Sequence, residues 1–285
     1  MGSTSQRGFS LLGKGKFDSG IKKFENALFE TGQDPAGVIE LLDTNEEYCK
    51  CLAEFAARGA ISMPTSYNLA RRIMGVNFFG LEEWGLLGVT FTKSQIRKVV
   101  SKFPWSEEFL DSPCPFVKGR AVRETHFAFL GADKYNGVVT EAHGPLTIMN
   151  WQKIFPADSQ PRFYLYGNDC WHPNEQFAAA PLELRWYLGL KEIVPDSAST
   201  SWAGMQGMIP EGYEVPSPIV ETTKVLLHYK KTGVYLNRNY YAATNSLDSH
   251  GIQVLVGYCD GRTVNVYRWL GSASDDVGLS LVRKF

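Results

Sequence analysis

Four residues carry the side chains best suited to bond-making chemistry: Glu124 and His126 in ETHF, and Cys170 and His172 in NDCWHPNE. Imidazole and thiolate are good zinc ligands, and alternation along a strand would put Glu124 and His126 on one face. A second chemistry uses a cysteine nucleophile with a histidine base. Cys170 or Cys114 could meet His126, His143 or His172 only through the fold. Either arrangement would make the protein a metal- or Cys/His-dependent hydrolase. The surrounding residues speak against both, because neither HExxH nor paired CxxC occurs and no catalytic family's context flanks the cysteines. The favoured reading is a buried His126 hydrogen-bonded inside an aromatic core, with His172 capping a turn. No metal and no cofactor is expected.

Other reactive groups are no better placed. Cys49 and Cys51 are two apart within a helical pattern, which sends the thiols to different faces, with Cys49 toward a core. The five cysteines are odd in number and irregularly spaced, as reduced thiols would be. GKGKF near the start lacks the spacing and the Ser/Thr of a phosphate-binding loop.

The elements that must position these groups fall into two textures. IKKFENALFE and PAGVIELLDTNEEYCKCLAEFAARGA read as helices, the second with Pro35 in its first turn and Gly59 at its stop. SYNLARRIMG is a third, with Arg71 and Arg72 on its wet side. From about Phe78 the segments shorten and aromatics become dense, so a domain border near residue 75 is expected, dividing 1–75 from 76–285. FTKSQIRKVVSKFP reads as a helix, RETHFAFLGA and RFYLYG as strands, and NEQFAAAPLELRWYLGLKEIVP as a helix interrupted near Pro181. TTKVLLHYKKTG is a further helix with its glycine at the C-terminal boundary. The pattern is α+β, helical first and mostly β toward the C-terminus.

Composition excludes several function classes. The net charge of −1 does not suit a surface built to grip nucleic acid. No apolar run approaches the roughly 20 residues that cross a bilayer. MGSTSQRGFSLLGKGKF has no apolar secretory stretch, so a soluble protein without a signal peptide is expected. Nothing in the pattern specifies an oligomer, and a monomer is expected.

The final 35 residues pose a separate question. Ile252–Val256 and Val277–Val282 keep strand rhythm, whereas Tyr258, Cys259, Asp260, Arg262, Asn265, Tyr267, Arg268, Ser272, Ser274 and Asp275 between them follow no period. The closing GLSLVRKF resembles the last strand of C-type-lectin-fold domains of the formylglycine-generating-enzyme type, which often end in a Gly-x-x-Leu-Val-Arg-like run. The longer arrangement resembles the variable proteins of diversity-generating retroelements, over about the last 90 residues. In that family, error-prone copying at adenines rewrites the C-terminal coding region, with AAY codons as principal targets. Such changes cannot yield Lys, Glu or Met, and Tyr235–Val282 contains none of the three. Roughly seven would be expected at whole-chain frequency. Gln253 and Trp269 are exceptions that need fixed or different codons. A β-rich segment is also short of Lys, Glu and Met on propensity alone.

The resemblance implies a C-type-lectin-like C-terminal domain of short strands and two flanking helices, preceded by a mainly helical N-terminal region. It implies a variable binding surface at about 235–282. The function implied is non-enzymatic recognition of a ligand, a protein or cell-surface molecule. The redox centre of the enzymatic relatives needs paired cysteines, and this region holds only Cys259. The surface is expected to comprise Tyr240, Ala242, Ala243, Tyr258, Asp260, Arg262, Asn265, Tyr267, Arg268, Trp269, Ser272, Ala273, Ser274 and Asp275. Alternation puts Asn265, Tyr267 and Trp269 on one face and Val264 and Val266 on the other. Tyrosine supplies contact area with few rotors to freeze, and Ser or Asn supplies adaptable hydrogen bonds.

Overall fold

The computed structural model describes residues 34–47, 65–101, 103–164, 171–259 and 263–284. The chain divides into two compact units, Met1–Ile61 and Ser62–Phe285. In the first, the helix Pro35–Thr44 starts where the Asp34 carboxylate accepts from the backbone N–H groups of Ala36 and Gly37. IKKFENALFE, Cys49, Cys51 and Gly59 lie outside the described residues.

The border falls upstream of the one expected near residue 75. Helix Tyr67–Met74 buries Tyr67, Ala70 and Met74 in the main core of the second unit. Tyr67 packs edge-on to Phe78, with ring centroids 5.5 Å apart. Arg71 is half-buried rather than wet, because its guanidinium pairs with Glu82 and Glu83.

The second unit is α+β, and its described residues form three sheets. The strands are β1 (Phe78–Phe79), β2 (His126–Leu130), β3 (Lys134–Tyr135), β4 (Gly144–Pro145), β5 (Trp186–Leu190), β6 (Tyr213–Glu214), β7 (Tyr241–Leu247), β8 (Gln253–Gly257), β9 (Asn265–Trp269), β10 (Val277–Leu279) and β11 (Val282–Arg283). One sheet has the order β1-β2-β5-β11-β6, antiparallel except for β1 beside β2. A second has the order β10-β7-β8-β9, antiparallel except for β10 beside β7. Strands β3 and β4 form a two-stranded pair. The closing run spans both larger sheets: Val277–Leu279 pairs with β7, and Val282–Arg283 lies between β5 and β6.

Helix Pro218–Thr232 packs against β7 and β8 of one sheet and β2 of the other. Every residue from Pro218 to His228 is buried. Pro218 opens the helix and Gly233, at φ 73°, closes it in the left-handed conformation that glycine adopts without a Cβ clash. The helix begins four residues before the TTK start read from the sequence.

Two further segments differ from expectation. Residues RET of RETHFAFLGA form the helical turn Val122–Thr125, because the Glu124 carboxylate accepts from the Ala121 N–H and the Thr125 hydroxyl donates to the Ala121 carbonyl. Only His126–Leu130 is strand. In NEQFAAAPLELRWYLGLKEIVP the helix covers Gln176–Ala179 and WYLGL is strand β5. All five β5 residues are buried, so both faces are apolar and the alternation that distinguishes strand from helix is absent. In RFYLYG, Phe163 makes a single bridge to Val264, and residues 165–170 lie outside the described set.

Candidate recognition surface

The four-stranded sheet has two unlike faces. Along β8, Val254 and Val256 enter the main core while Leu255 enters a second, smaller core. Along the next strand, Val264 and Val266 face the main core, as alternation requires. The opposite face carries Tyr267, paired across from Leu255. Tyr267 is 46% exposed and stacks on Tyr241, with centroids 5.4 Å apart. Tyr241 stacks in turn on Tyr258, which is 41% exposed, at 5.2 Å. Three tyrosines thus form a continuous ladder at one end of the sheet. Burial and the neighbouring Tyr267, Asp276 and Tyr258 push the Tyr241 hydroxyl up to about 12, so it stays a protonated donor at neutral pH.

Backbone geometry sets the ladder. Tyr258 has φ 48°, a left-handed conformation that costs a non-glycine residue about 1–2 kcal/mol. It is held there by its N–H donating to the Tyr240 carbonyl at 2.7 Å and by the Asn265 amide donating to its own carbonyl at 3.0 Å. The preceding Gly257, at φ 139°, lets the Tyr240 carbonyl approach to where a Cβ would stand 2.5 Å away.

The nominated residues divide into exposed and packed sets. Tyr240, Tyr258, Tyr267, Ser272, Ala273 and Asp275 are exposed, and Asn265 and Ser274 are half-buried. The Ser274 hydroxyl donates to Asp276, and its carbonyl accepts from the Ser199 N–H. Asp260 and Arg262 lie outside the described residues. Ala242 and Ala243 are wholly buried and cannot face a ligand, because β7 is an inner strand packed on both faces. Trp269 is 8% exposed. It shares the face of Tyr267, but there the second core covers the sheet, and helix Trp202–Gln206 is tied down by the Trp202 N–H on the Gly271 carbonyl. Arg268 is also committed to the scaffold. Its guanidinium pairs with Asp248 at 3.1 Å and lies 4.2 Å from the Trp171 ring centroid, while the Trp171 indole donates to the Val266 carbonyl on the sheet's edge strand. Tyr241, central to the ladder, was missed because residue order does not say which of Tyr240 and Tyr241 stands opposite Gly257.

The described residues of the rival reading have partners of their own. His126 is fully buried, with Nε2 3.2 Å from the Tyr213 hydroxyl and Nδ1 3.2 Å from the Val122 carbonyl, beside the Phe116 and Tyr213 rings. Burial lowers its pKa to about 3, and Lys224, Lys191 and Arg283 push the same way. Glu124 does not share its face; it is exposed and occupied in capping the preceding turn. The His172 ring bonds the Gln152 amide at 2.7 Å, while the backbone carbonyl of His172 closes the turn to Glu175. Burial lowers the His172 pKa to about 4. Cys170 lies outside the described residues. Cys114 is buried and His143 is exposed, its Nε2 on the Gly137 carbonyl.

Among the described residues, the group whose donor atoms converge closely enough for a metal is instead Glu175, Asp248 and His250. Three of its four carboxylate oxygens already accept hydrogen bonds, and Asp248 Oδ2 faces the Arg268 guanidinium. Glu175 accepts from the Ser249 N–H and hydroxyl at 2.8 Å each, and Asp248 accepts from the His250 and Ile252 N–H groups. Burial alone would raise the Asp248 carboxyl; those N–H groups and Arg268 hold it below its ordinary value. The trio is a clasp on the β7–β8 turn. An open depression of about 320 Å³ lies elsewhere, lined by Thr90, Gln95, Asp133 and Asn136 among others, whose polar groups bond one another. Compared with protein-family models, curated proteins and solved structures, the chain matches none significantly.

Proposed function

We propose that the protein is a non-enzymatic recognition module in which a C-type-lectin-like scaffold presents a diversified surface near its C-terminus. The observation that carries this reading is the ladder of exposed Tyr258 and Tyr267 joined by half-buried Tyr241, which stands on a sheet whose other face is packed. An aromatic row of this kind offers large contact area at little entropic cost, and a few such side chains supply most of the energy of a typical interface. Ser272, Ala273 and Asp275 add exposed positions. The lectin-type scaffold draws support from the closing GLSLVR run, which leaves the four-stranded sheet at Leu279 and enters the five-stranded sheet at Val282. The partner is a protein or cell-surface molecule, met by a flat surface rather than received in a cavity.

A surface-displayed library randomised at Tyr240, Tyr258, Tyr267, Ser272, Ala273 and Asp275 tests the reading without knowledge of the natural ligand. Most members should fold, and selection against an unrelated probe such as lysozyme should return binders. A library in which most members unfold, or a folded one that yields none, would argue against a display surface. The diversification itself predicts a near-identical template copy and a reverse transcriptase gene in the flanking DNA.

A further inference from the structure

Helix Pro218–Thr232 carries an ion pair at its most buried point. Glu221 and Lys224 are both wholly buried, with Lys224 Nζ 2.9 Å from Glu221 Oε2. Of the pair's four hydrogen bonds to other segments, three go to residues that flank the tyrosine-bearing strands. The Asn237 amide donates to Glu221 Oε1 at 2.8 Å. The Ser280 hydroxyl donates to Glu221 Oε2 at 2.7 Å and accepts from Lys224 at 3.0 Å. Lys224 also donates to the Leu190 carbonyl at 2.7 Å, the end of β5. Asn237 precedes the tyrosine-bearing strands and Ser280 follows them, so one helical turn holds both ends of the same stretch.

The hold passes directly to the ladder. Asn237, at φ 51°, offers its carbonyl to the Tyr240 N–H at 3.4 Å and to the Cys259 N–H at 3.2 Å. Tyr240 in turn accepts from the Tyr258 N–H at 2.7 Å. At the other end, Asp276 accepts from the Tyr241 N–H at 2.7 Å, four residues before Ser280. A buried ion pair seldom adds stability over an apolar pair of equal volume; its attested use is to select one arrangement among several. Apolar side chains could fill this space, but they would not specify where residues 237 and 280 must lie.

We infer that Glu221, Lys224, Asn237 and Ser280 are positioning residues that fix both ends of the recognition surface from within, so that its exposed side chains can change without moving the frame. The purpose assigned here rests on the display reading; the anchoring geometry does not.

The test is hydrogen exchange of the full chain, read amide by amide in two variants. Asn237→Gly tolerates the left-handed backbone and removes the side-chain bond. It should speed exchange at the Tyr240 and Cys259 amides by about tenfold, with β2 and β5 unchanged. Ser280→Ala should do the same at the Tyr241 amide. Unchanged rates at these amides, or equal acceleration everywhere, would overturn the inference. If neither variant folds, the unsubstituted chain decides: in mild denaturant the Tyr240 and Cys259 amides should exchange only through the global opening that frees β2 and β5. Exchange there through a separate local opening would equally overturn it. A library that fails to bind while these amides behave as expected rejects the display reading alone.

Discussion

At the scale of single residues, chemical type did not decide role; what covers each side chain did. Tyr267 and Trp269 lie on the same face of one strand, as alternation along VNVYRW indicates. The sequence does not say that the face is open at Tyr267 and closed at Trp269. The covering residues, among them Leu190, Val194 and Met205, come from a segment more than fifty positions upstream. Local pattern therefore fixes the facing and leaves coverage undetermined. The two substitutions should accordingly differ. Trp269→Ala should cost about 3–5 kcal/mol, the loss for a large buried aromatic. Tyr267→Ala should cost about 1 kcal/mol or less, since the side chain is half exposed and stacks in a surface ladder rather than in a core. Urea unfolding midpoints at constant slope compare them, and equal losses would mean that Tyr267 is a packing residue. Ala242 and Ala243 were misassigned for the same reason, because small residues in an inner strand carry no local sign of being buried on both sides.

At the scale of elements, legibility followed the presence of a punctuating residue. The end of helix Pro218–Thr232 was readable at Gly233, and Thr92 and Ser66 cap helices where the periodicity begins. Strand β5 was unreadable as a strand because burial on both faces erased its alternation. The turn Val122–Thr125 was hidden because a carboxylate three residues along, rather than a Ser or Thr, closes it. The upstream border was obscured because the helix Tyr67–Met74 resembles its N-terminal neighbours in pattern yet packs on Phe78 and Trp186. The Gly233 boundary makes a direct prediction. Gly233→Ala, at φ 73°, should destabilise by about 1 kcal/mol, the cost of placing a Cβ in the left-handed region. Nothing lies within 4 Å of the added methyl, so a larger loss in thermal or urea unfolding would require another cause.

At the scale of the whole molecule, the second unit combines large aromatic cores with buried polar groups, and its stability should therefore depend on pH. Three histidines are buried and neutral: burial lowers His126 to about 3 and His172 and His228 to about 4. Lys224 and Lys191 face both His126 and His228 and disfavour a further positive charge, while Glu175 beside His172 partly opposes the shift there. In the unfolded chain each imidazole has a pKa near 6.5. Above that value neither state binds a proton and the full stability is present. Below it the unfolded chain takes up protons that the folded chain refuses, so stability falls as pH falls from about 6.5 toward the folded values. Each histidine contributes a slope of at most about 1.4 kcal/mol per pH unit, on the order of 2 kcal/mol apiece by pH 5. That is a large share of an ordinary folding free energy of about 5–15 kcal/mol. Glu83 and Asp248, whose carboxyls are lowered, lose their contribution only below the unfolded carboxylate range and so do not shape this window. Glu192, raised by burial, works in the opposite sense. The melting temperature should be nearly level from pH 8 to 7 and drop steeply between 6.5 and 5. His172→Gln, which retains a hydrogen-bonding partner for Gln152, should remove about one third of that slope. A melting temperature that stays constant from pH 7 to 5 would mean that these imidazoles are not held neutral by the fold.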